Sequence, residues 1–234
     1  MGKLFVVATP IGNLSDLSPR AVETFKISDA ILCEDTRVSS KLFSHLGLKK
    51  TLIAVHQHTD DRRIGEAINL LREGKTLSLV TDAGTPAISD PGGKFVEAAL
   101  KELGDDLQVI PIPGPCAAIA ALSISGFPAD NFLFLGFPPH KKGRKTYFEQ
   151  IATTEETVCF YESTHRILKT LAELSEKIGD RKIVVCRELT KMYETTYRGT
   201  AVEVTKRLEK GSIKGEFVVV VGSRGKGKGE REGG

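Results

Sequence analysis

The sequence predicts an α/β protein of two α/β domains, and three observations carry that expectation. From Leu4 to Val221, short apolar runs of β-branched character alternate with stretches whose apolar residues recur at helical spacing. At 234 residues the chain is long enough to bury a sizeable core in one or two domains. The alternation is broken once, at Pro111-Ile112-Pro113-Gly114-Pro115-Cys116, where three prolines around one glycine can continue neither a central strand nor a helix. The expected division is therefore an N-terminal domain over 1–113, a C-terminal domain over 114–224, and a tail over 225–234. That tail has no apolar residue to bury and is expected to be disordered.

In the first domain, Leu4 to Ala8 reads as a strand that turns through Thr9-Pro10-Ile11-Gly12-Asn13-Leu14. Ser18 before Pro19 gives an N-cap with proline in the first helical position. Asp29 to Cys33 is a second strand, ending in Glu34-Asp35-Thr36-Arg37, where Thr36 can cap the next helix. Thr51 to Val55 is a third, followed by His56-Gln57-His58-Thr59-Asp60. Two histidines with no third fixed ligand favour substrate contact or helix capping over a metal. The Gly-rich GxGxxG turn of dinucleotide folds is absent after the first strand, which carries Gly12 alone.

Lys75 to Val80 delivers the most conspicuous stretch, Thr81-Asp82-Ala83-Gly84-Thr85-Pro86-Ala87-Ile88-Ser89-Asp90-Pro91-Gly92-Gly93, before a helix from Lys94 to Leu103. A loop of that length, against roughly 2–6 residues in compact α/β units, calls for a reason. Its glycines admit positive φ and close backbone approach, its prolines stiffen the path, and its acids and hydroxyls are polar contacts. Ligands of open α/β sheets settle beyond the carboxyl ends of the strands, where this loop would lie.

In the second domain, Phe132 to Gly136 is a strand and His140-Lys141-Lys142-Gly143-Arg144-Lys145 a basic loop, suited to phosphate or simply solvated. Glu156 to Tyr161 delivers Glu162-Ser163-Thr164-His165-Arg166, and Lys182 to Cys186 delivers Arg187-Glu188-Leu189-Thr190-Lys191. Two strand ends that each carry acid and base point to a site. Glu34, Asp35 and Arg37 form a comparable cluster in the first domain, readable also as a local ion pair at a helix amino end.

Composition narrows the class. With 33 basic against 30 acidic residues, net charge is only +3 and neither demands nor forbids nucleic acid. Cys33, Cys116, Cys159 and Cys186 are far apart and form no CxxC pair, so they read as reduced thiols, with no metal expected. No signal peptide and no membrane-spanning apolar stretch is visible, giving the expectation of a cytoplasmic protein with no membrane partner.

Taken together, Ala8-Thr9-Pro10-Ile11-Gly12-Asn13-Leu14, Cys33-Glu34-Asp35-Thr36-Arg37, Asp82-Ala83-Gly84-Thr85-Pro86 with Ile88-Ser89-Asp90-Pro91-Gly92, Pro113-Gly114-Pro115, Tyr161-Glu162-Ser163 with His165-Arg166, Arg187 to Lys191 and Gly215-Glu216-Phe217 closely resemble the ribosomal RNA small subunit methyltransferase I (RsmI) family. That family belongs to the tetrapyrrole methylases, the class III methyltransferases. The resemblance implies two α/β domains with S-adenosylmethionine in the cleft between them, a homodimer, and methylation of the ribose 2′-oxygen of a cytidine in the decoding region of 16S rRNA in the small ribosomal subunit. It places cofactor contacts at Pro10, Ile11, Asp82, Gly84, Thr85, Pro86, Ile88, Cys116, Ala117, Tyr161, Leu189 and Gly215.

A ribose hydroxyl is a poor nucleophile, so a base or a nearby cation should assist it. The candidates are Lys191, Glu188, Glu162, His165 and Arg166, with Glu34, Asp35, Arg37, Lys141, Lys142, Arg144 and Lys145 as substrate contacts. Thr164 stands where the family usually has proline, and Cys116 where it has serine or another small residue. The stretch His56 to Asp60 follows the family pattern only roughly. Methylation of a small tetrapyrrole-like substrate and a non-catalytic SAM- or nucleotide-binding module are the alternative functions.

Overall fold

The computed structural model describes residues 1–56, 59 and 61–224; the expected tail 225–234, His58 and Asp60 lie outside the described residues. The chain divides into two compact units, Met1–Cys116 and Ala117 onward.

The first unit is a parallel sheet of β1 (Gly2–Val7), β2 (Ala30–Cys33), β3 (Thr51–Ala54), β4 (Thr76–Leu79) and β5 (Leu107–Ile112), in the order β3-β2-β4-β1-β5. Its helices are α1 (Pro19–Ile27), α2 (Thr36–His45), α3 (Asp61–Arg72) and α4 (Gly92–Leu103). Strand alternation divides the core between the two faces. Leu4, Leu32, Leu77 and Leu79 pack with Ile68, Leu71, Phe95 and Ala99 of α3 and α4. Phe5, Val7, Ile31 and Cys33 pack with Ala21, Phe25 and Phe43 of α1 and α2. Right-handed crossovers account for the split: from β1 the chain steps outward to β2 and β3, then returns across the other face to β4 and β5.

Two local expectations are corrected here. β5 does not stop before the prolines but runs through Pro111 to Ile112, pairing Pro111 with Val6. An edge strand needs ladder donors on one side alone, so it tolerates a proline that a central strand would not. The cap of α2 is Asp35 rather than Thr36: its carboxylate accepts the Arg37 backbone N–H at 2.8 Å. The cap of α1 is Ser18, as expected, accepting from the Ala21 N–H at 3.1 Å.

The second unit is a mixed sheet of β6 (Phe132–Phe134), β7 (Thr157–Ser163), β8 (Lys182–Arg187), β9 (Thr195–Thr200) and β10 (Glu216–Val221), in the order β6-β7-β10-β8-β9. One face carries α6 (Arg144–Thr153), α7 (Ile167–Ile178) and α8 (Ala201–Glu209), which bury Phe148, Ile151, Leu171, Leu174, Val204 and Leu208 against Phe160, Val185 and Val219. α5 (Ala117–Ser125) also packs on this sheet, with the Cys159 thiol donating to the Ala118 carbonyl at 3.9 Å. β7 and β8 each run further than expected, taking Glu162, Ser163 and Arg187 into the ladder. The register explains this: β10 pairs Glu216 with Ser163 and Phe217 with both Glu162 and Arg187.

Candidate functional site

Adjacent strands β1 and β4 send their connections in opposite directions, which opens the crevice where α/β sheets take ligands. The loops after these strands are stitched together there. Thr9 and Gly84 exchange backbone bonds of 2.9 and 3.1 Å, and the Thr9 hydroxyl donates to the Thr81 carbonyl at 3.0 Å. The Thr85 hydroxyl donates to the Pro115 carbonyl at 3.1 Å, bringing in the proline turn. Gly84 has φ +88°, and a Cβ there would stand 3.3 Å from Ile11 Cγ2. Only glycine lets the three segments close to this distance in that conformation.

Asp90 holds the long loop from within. Its carboxylate accepts the Thr81 hydroxyl at 2.5 Å and the N–H groups of Ala87 and Gly92 at 3.0 and 2.8 Å. Ala87 and Ser89 are thereby kept at φ 70° and 54°. Non-glycine residues in that region cost on the order of 1–3 kcal/mol each and concentrate at functional sites. Ile11 and Pro86 are buried, Pro10 and Thr85 half-buried, and Ile88 is 47% exposed.

Around this rim stand Glu34, Asp35, Asp82 and Asp90. The Asp35 N–H donates to Asp82 at 3.2 Å, and Arg37 pairs with Asp35 at 2.6 Å. Burial, then the charges of Asp82, Asp90 and Asp35, push the Glu34 carboxyl up. Burial pushes Asp82 up as well, while the bonds from Arg37 hold Asp35 down at about 2. His56 is exposed, and its backbone N–H donates to the Thr59 hydroxyl at 2.7 Å.

In the second unit, β7 and β8 both run antiparallel to β10, so their carboxyl ends meet the start of β10 at one end of the sheet. Thr164 and Gly215 are joined in both directions: the hydroxyl donates to the Gly215 carbonyl at 2.5 Å and accepts its N–H at 2.7 Å. Glu188, at φ 53°, accepts the Glu216 N–H on Oε1 at 2.9 Å and the Lys191 ammonium at 3.0 Å. Lys191 also reaches Glu216 at 3.0 Å. Burial alone would lower the Lys191 ammonium, but the bonds to Glu188 and Glu216 outweigh it and hold the pKa above its ordinary value. Burial would raise Glu188, yet the Glu216 N–H and Lys191 hold it down. The pair is thus an ammonium and a carboxylate at neutral pH, which speaks against Lys191 as a proton acceptor.

The loop bearing them is anchored by the buried Arg187, which donates to the Lys214 and Tyr193 carbonyls at 2.6 and 3.0 Å. Leu189 is buried, and Thr190 is held at φ 66°. A Cβ on Gly215, whose φ is +123°, would stand 2.6 Å from Glu188 Cγ, so this glycine too is fixed by sterics. Tyr161 accepts the Ala118 N–H at 3.2 Å, at the start of α5 beside Cys116 and Ala117.

Glu162 has a different setting. It is 1% exposed, and its carboxylate accepts from the Ser163 N–H at 2.7 Å and the Thr170 hydroxyl at 2.6 Å, and pairs with Arg166 at 2.9 Å. Arg144 completes this network. Expected as a substrate contact of the basic loop, it turns inward instead, 7% exposed, to Glu173 at 2.7 Å and Thr170 at 2.8 Å, with Phe148 beneath it. As the first residue of α6 it faces α7, and a carboxylate and a hydroxyl there satisfy its guanidinium better than water could. Arg144 and Arg166 also hold the Pro139 and Pro138 carbonyls, at 3.1 and 2.8 Å. Lys141, Lys142, Lys145 and His165 remain exposed. The sequence does not single out Thr170, which sits in an ordinary helical pattern, whereas Glu216 is marked only as the acid in Gly215-Glu216-Phe217 and not as a partner of Lys191.

The sequence profile of the tetrapyrrole (corrin/porphyrin) methylases matches residues 3–205. The chain is 45% identical to the ribosomal RNA small subunit methyltransferase I of Halalkalibacterium halodurans, over 96% of this chain and 77% of that one. To the protein of that name from Thermotoga maritima it is 40% identical, over 96% of this chain and 100% of that one. Among solved structures, the methyltransferase CobJ superposes with a TM-score of 0.70 at 18% identity, covering 96% of this chain and 95% of that chain, a likeness of fold.

Proposed function

The chain belongs to the tetrapyrrole methylase family, and within it to the ribosomal RNA small subunit methyltransferase I group, and from that membership we propose how its residues perform the reaction. The protein is an S-adenosylmethionine-dependent methyltransferase of small-subunit ribosomal RNA. The finer assignment, to the ribose 2′-oxygen of a cytidine in the decoding region of 16S rRNA, and a homodimeric assembly are proposals. What carries the reading most is the 45% identity spread over 96% of the chain.

The residues present suit the donor. The backbone at Thr9, Gly84 and Pro115, stitched together by its own bonds, makes a rigid floor, and Ile11 and Pro86 buried beside it give the apolar wall an adenosyl group requires. The acids Glu34, Asp35 and Asp82 give the same rim a negative field that suits a cationic ligand. We assign donor binding to Pro10, Ile11, Asp82, Gly84, Thr85, Pro86, Ile88 and Cys116 in the first unit, and to Ala117, Tyr161, Leu189 and Gly215 in the second. Bound S-adenosylmethionine supplies a methyl group on a positively charged sulfur, open to in-line attack.

The protein's own contribution is to aim the attacking hydroxyl, and in well-aligned cases orientation supplies on the order of 7–11 kcal/mol of the barrier. Lys191, held as an ammonium, stabilises the charge that grows on the sugar oxygen. Glu188 takes the proton on Oε2, since Oε1 is already engaged by Glu216 and Lys191. As a weak base it adds modestly to orientation. Arg166 and Glu162 hold the facing turn in shape. Exposed Lys141 and Lys142 favour an RNA phosphate over a small tetrapyrrole.

The test is incubation with labelled S-adenosylmethionine and unmodified small subunits, then mapping of the labelled nucleotide. We expect one cytidine whose 3′ bond has become resistant to alkali. Label on a base overturns the ribose assignment, and no label at all overturns the function.

A further inference from the structure

We propose that the second unit carries a separate phosphate-binding pocket, at the end of its sheet opposite the Glu188–Lys191 cluster, that grips the backbone of the rRNA substrate; this rests on the function proposed above. The pocket is a concave space of about 430 Å³ lined by Phe127, Ile178, Arg181, Lys182, Gly222, Ser223 and Arg224. It forms where β8 begins at Lys182 and β10 has ended at Val221, whereas Arg187 and Glu216 mark the other end of the same two strands. A six-residue strand puts these ends about 17 Å apart. That is a span of several nucleotides along an extended strand.

Its walls are fixed. Arg181 donates to the carbonyls of Gly222, Ile151 (2.9 Å) and Glu156 (2.8 Å). The Arg224 backbone N–H donates to the Glu155 carbonyl at 2.9 Å. Phe127 lies over the floor so closely that a Cβ on Gly222 would stand 3.0 Å from its ring.

The charge on these walls is not balanced. Carbonyls rather than carboxylates satisfy Arg181, and among the described residues neither Arg181 nor Arg224 has an ion pair with an acid. Lys182 meets Glu203 only at 3.6 Å, with both side chains more than half exposed. Burial and the nearness of Arg224 lower the Arg181 pKa, the mark of two like charges sharing a site. Two guanidiniums without an ion pair among the described residues, and an ammonium only loosely held by Glu203, line a concave space whose own lining has no carboxylate, and such a set makes a receptor for a phosphate. Free phosphate and the RNA backbone offer the same chemistry, and the experiment separates them.

Full-length protein and the double variant Lys182→Gln/Arg224→Gln are compared for binding to unmodified small subunits over a salt series. Arg181 is left alone because its bonds hold β10 and α6 in place. We expect the variant to bind less tightly and its slope of log K against log salt to flatten by about 0.7–0.9 for each phosphate that the protein no longer neutralises. S-adenosylmethionine affinity should not move. In parallel, inorganic phosphate is titrated while the amide signals of Ser223 and Arg224 are followed by NMR, and saturable shifts that vanish in the variant are expected. Phosphate shifts with an unchanged slope overturn the RNA assignment and leave a free-anion site. Absence of both overturns the pocket. If wild-type protein fails to bind small subunits at all, the parent function falls, while the phosphate titration still decides the pocket.

Discussion

Replacing Glu162 by leucine tests whether this carboxylate is a strut or a proton acceptor. In the folded protein it is 1% exposed, accepts two hydrogen bonds of 2.6 and 2.7 Å, and pairs with Arg166 at 2.9 Å. Leucine removes all of these and leaves the Arg166 charge, 18% exposed, without its carboxylate. Breaking one side of a buried pair costs about 3–5 kcal/mol. For a unit of this size that is a fall in melting temperature of about 10–20 °C, at roughly 3–5 °C per kcal/mol. The readout is thermal and denaturant unfolding of the full chain, following the transition of the second unit.

Glu162→Gln keeps the shape but sets an amide against a Thr170 hydroxyl that already accepts from Arg144, and should lose about 1–3 kcal/mol. The double variant Glu162→Leu/Arg166→Met removes both charges and should lose clearly less than the sum of the single changes. If Glu162→Leu unfolds within about 1 kcal/mol of wild type while methyl transfer disappears, the strut interpretation is wrong and Glu162 belongs to the chemistry.

Three further outcomes follow from the same structure. Lys141→Ala and Lys142→Ala should each weaken subunit binding and flatten its salt dependence by about 0.7, whereas Arg144→Ala should lower stability by about 3 kcal/mol; salt-series binding and unfolding curves tell them apart. Lys191→Met should abolish transfer with S-adenosylmethionine affinity nearly unchanged, and a tenfold loss of affinity with normal turnover would reject its role. The folded Lys191 pKa is raised, so its stabilising effect is complete below its unfolded value and is lost as pH climbs through the folded one; the Glu188 pKa is lowered, so its effect is present above its unfolded value and is lost as pH falls. Activity profiles of wild type and Lys191→Arg should therefore share their alkaline limb up to about pH 9, and a limb that rises with lysine deprotonation would contradict the ammonium role.

The first unit was legible because its signals are local. Ser18 before Pro19 set a helix start, and the length and composition of the Thr81 to Gly93 loop marked the crevice. What escaped depends on partners far away in the chain. Nothing beside Arg144 announces Glu173 or Thr170, which arrive from α7, so a cation in a lysine-rich loop looked solvent-facing. Lys191 likewise stood among candidates for base or cation, and nothing beside it in the sequence announces Glu216, which arrives from another strand to hold it as an ammonium. The reach of β7 and β8 was set by β10, whose pairing extends the ladder past their apolar runs. In each case the missing information was tertiary, and no periodicity or capping motif encodes it.

Pro111 sits in β5, the outermost strand of the first sheet, opposite Val6. A bare sheet margin ordinarily offers a row of amide hydrogens that a stranger's chain can zip onto. Here that row has a gap, since an imide nitrogen has no hydrogen to give. This proline, one residue from the end of β5, thus blunts the first sheet against sheet-to-sheet clumping. Pro111→Val would restore the missing donor, and such a variant should keep its fold yet precipitate more readily when concentrated or warmed.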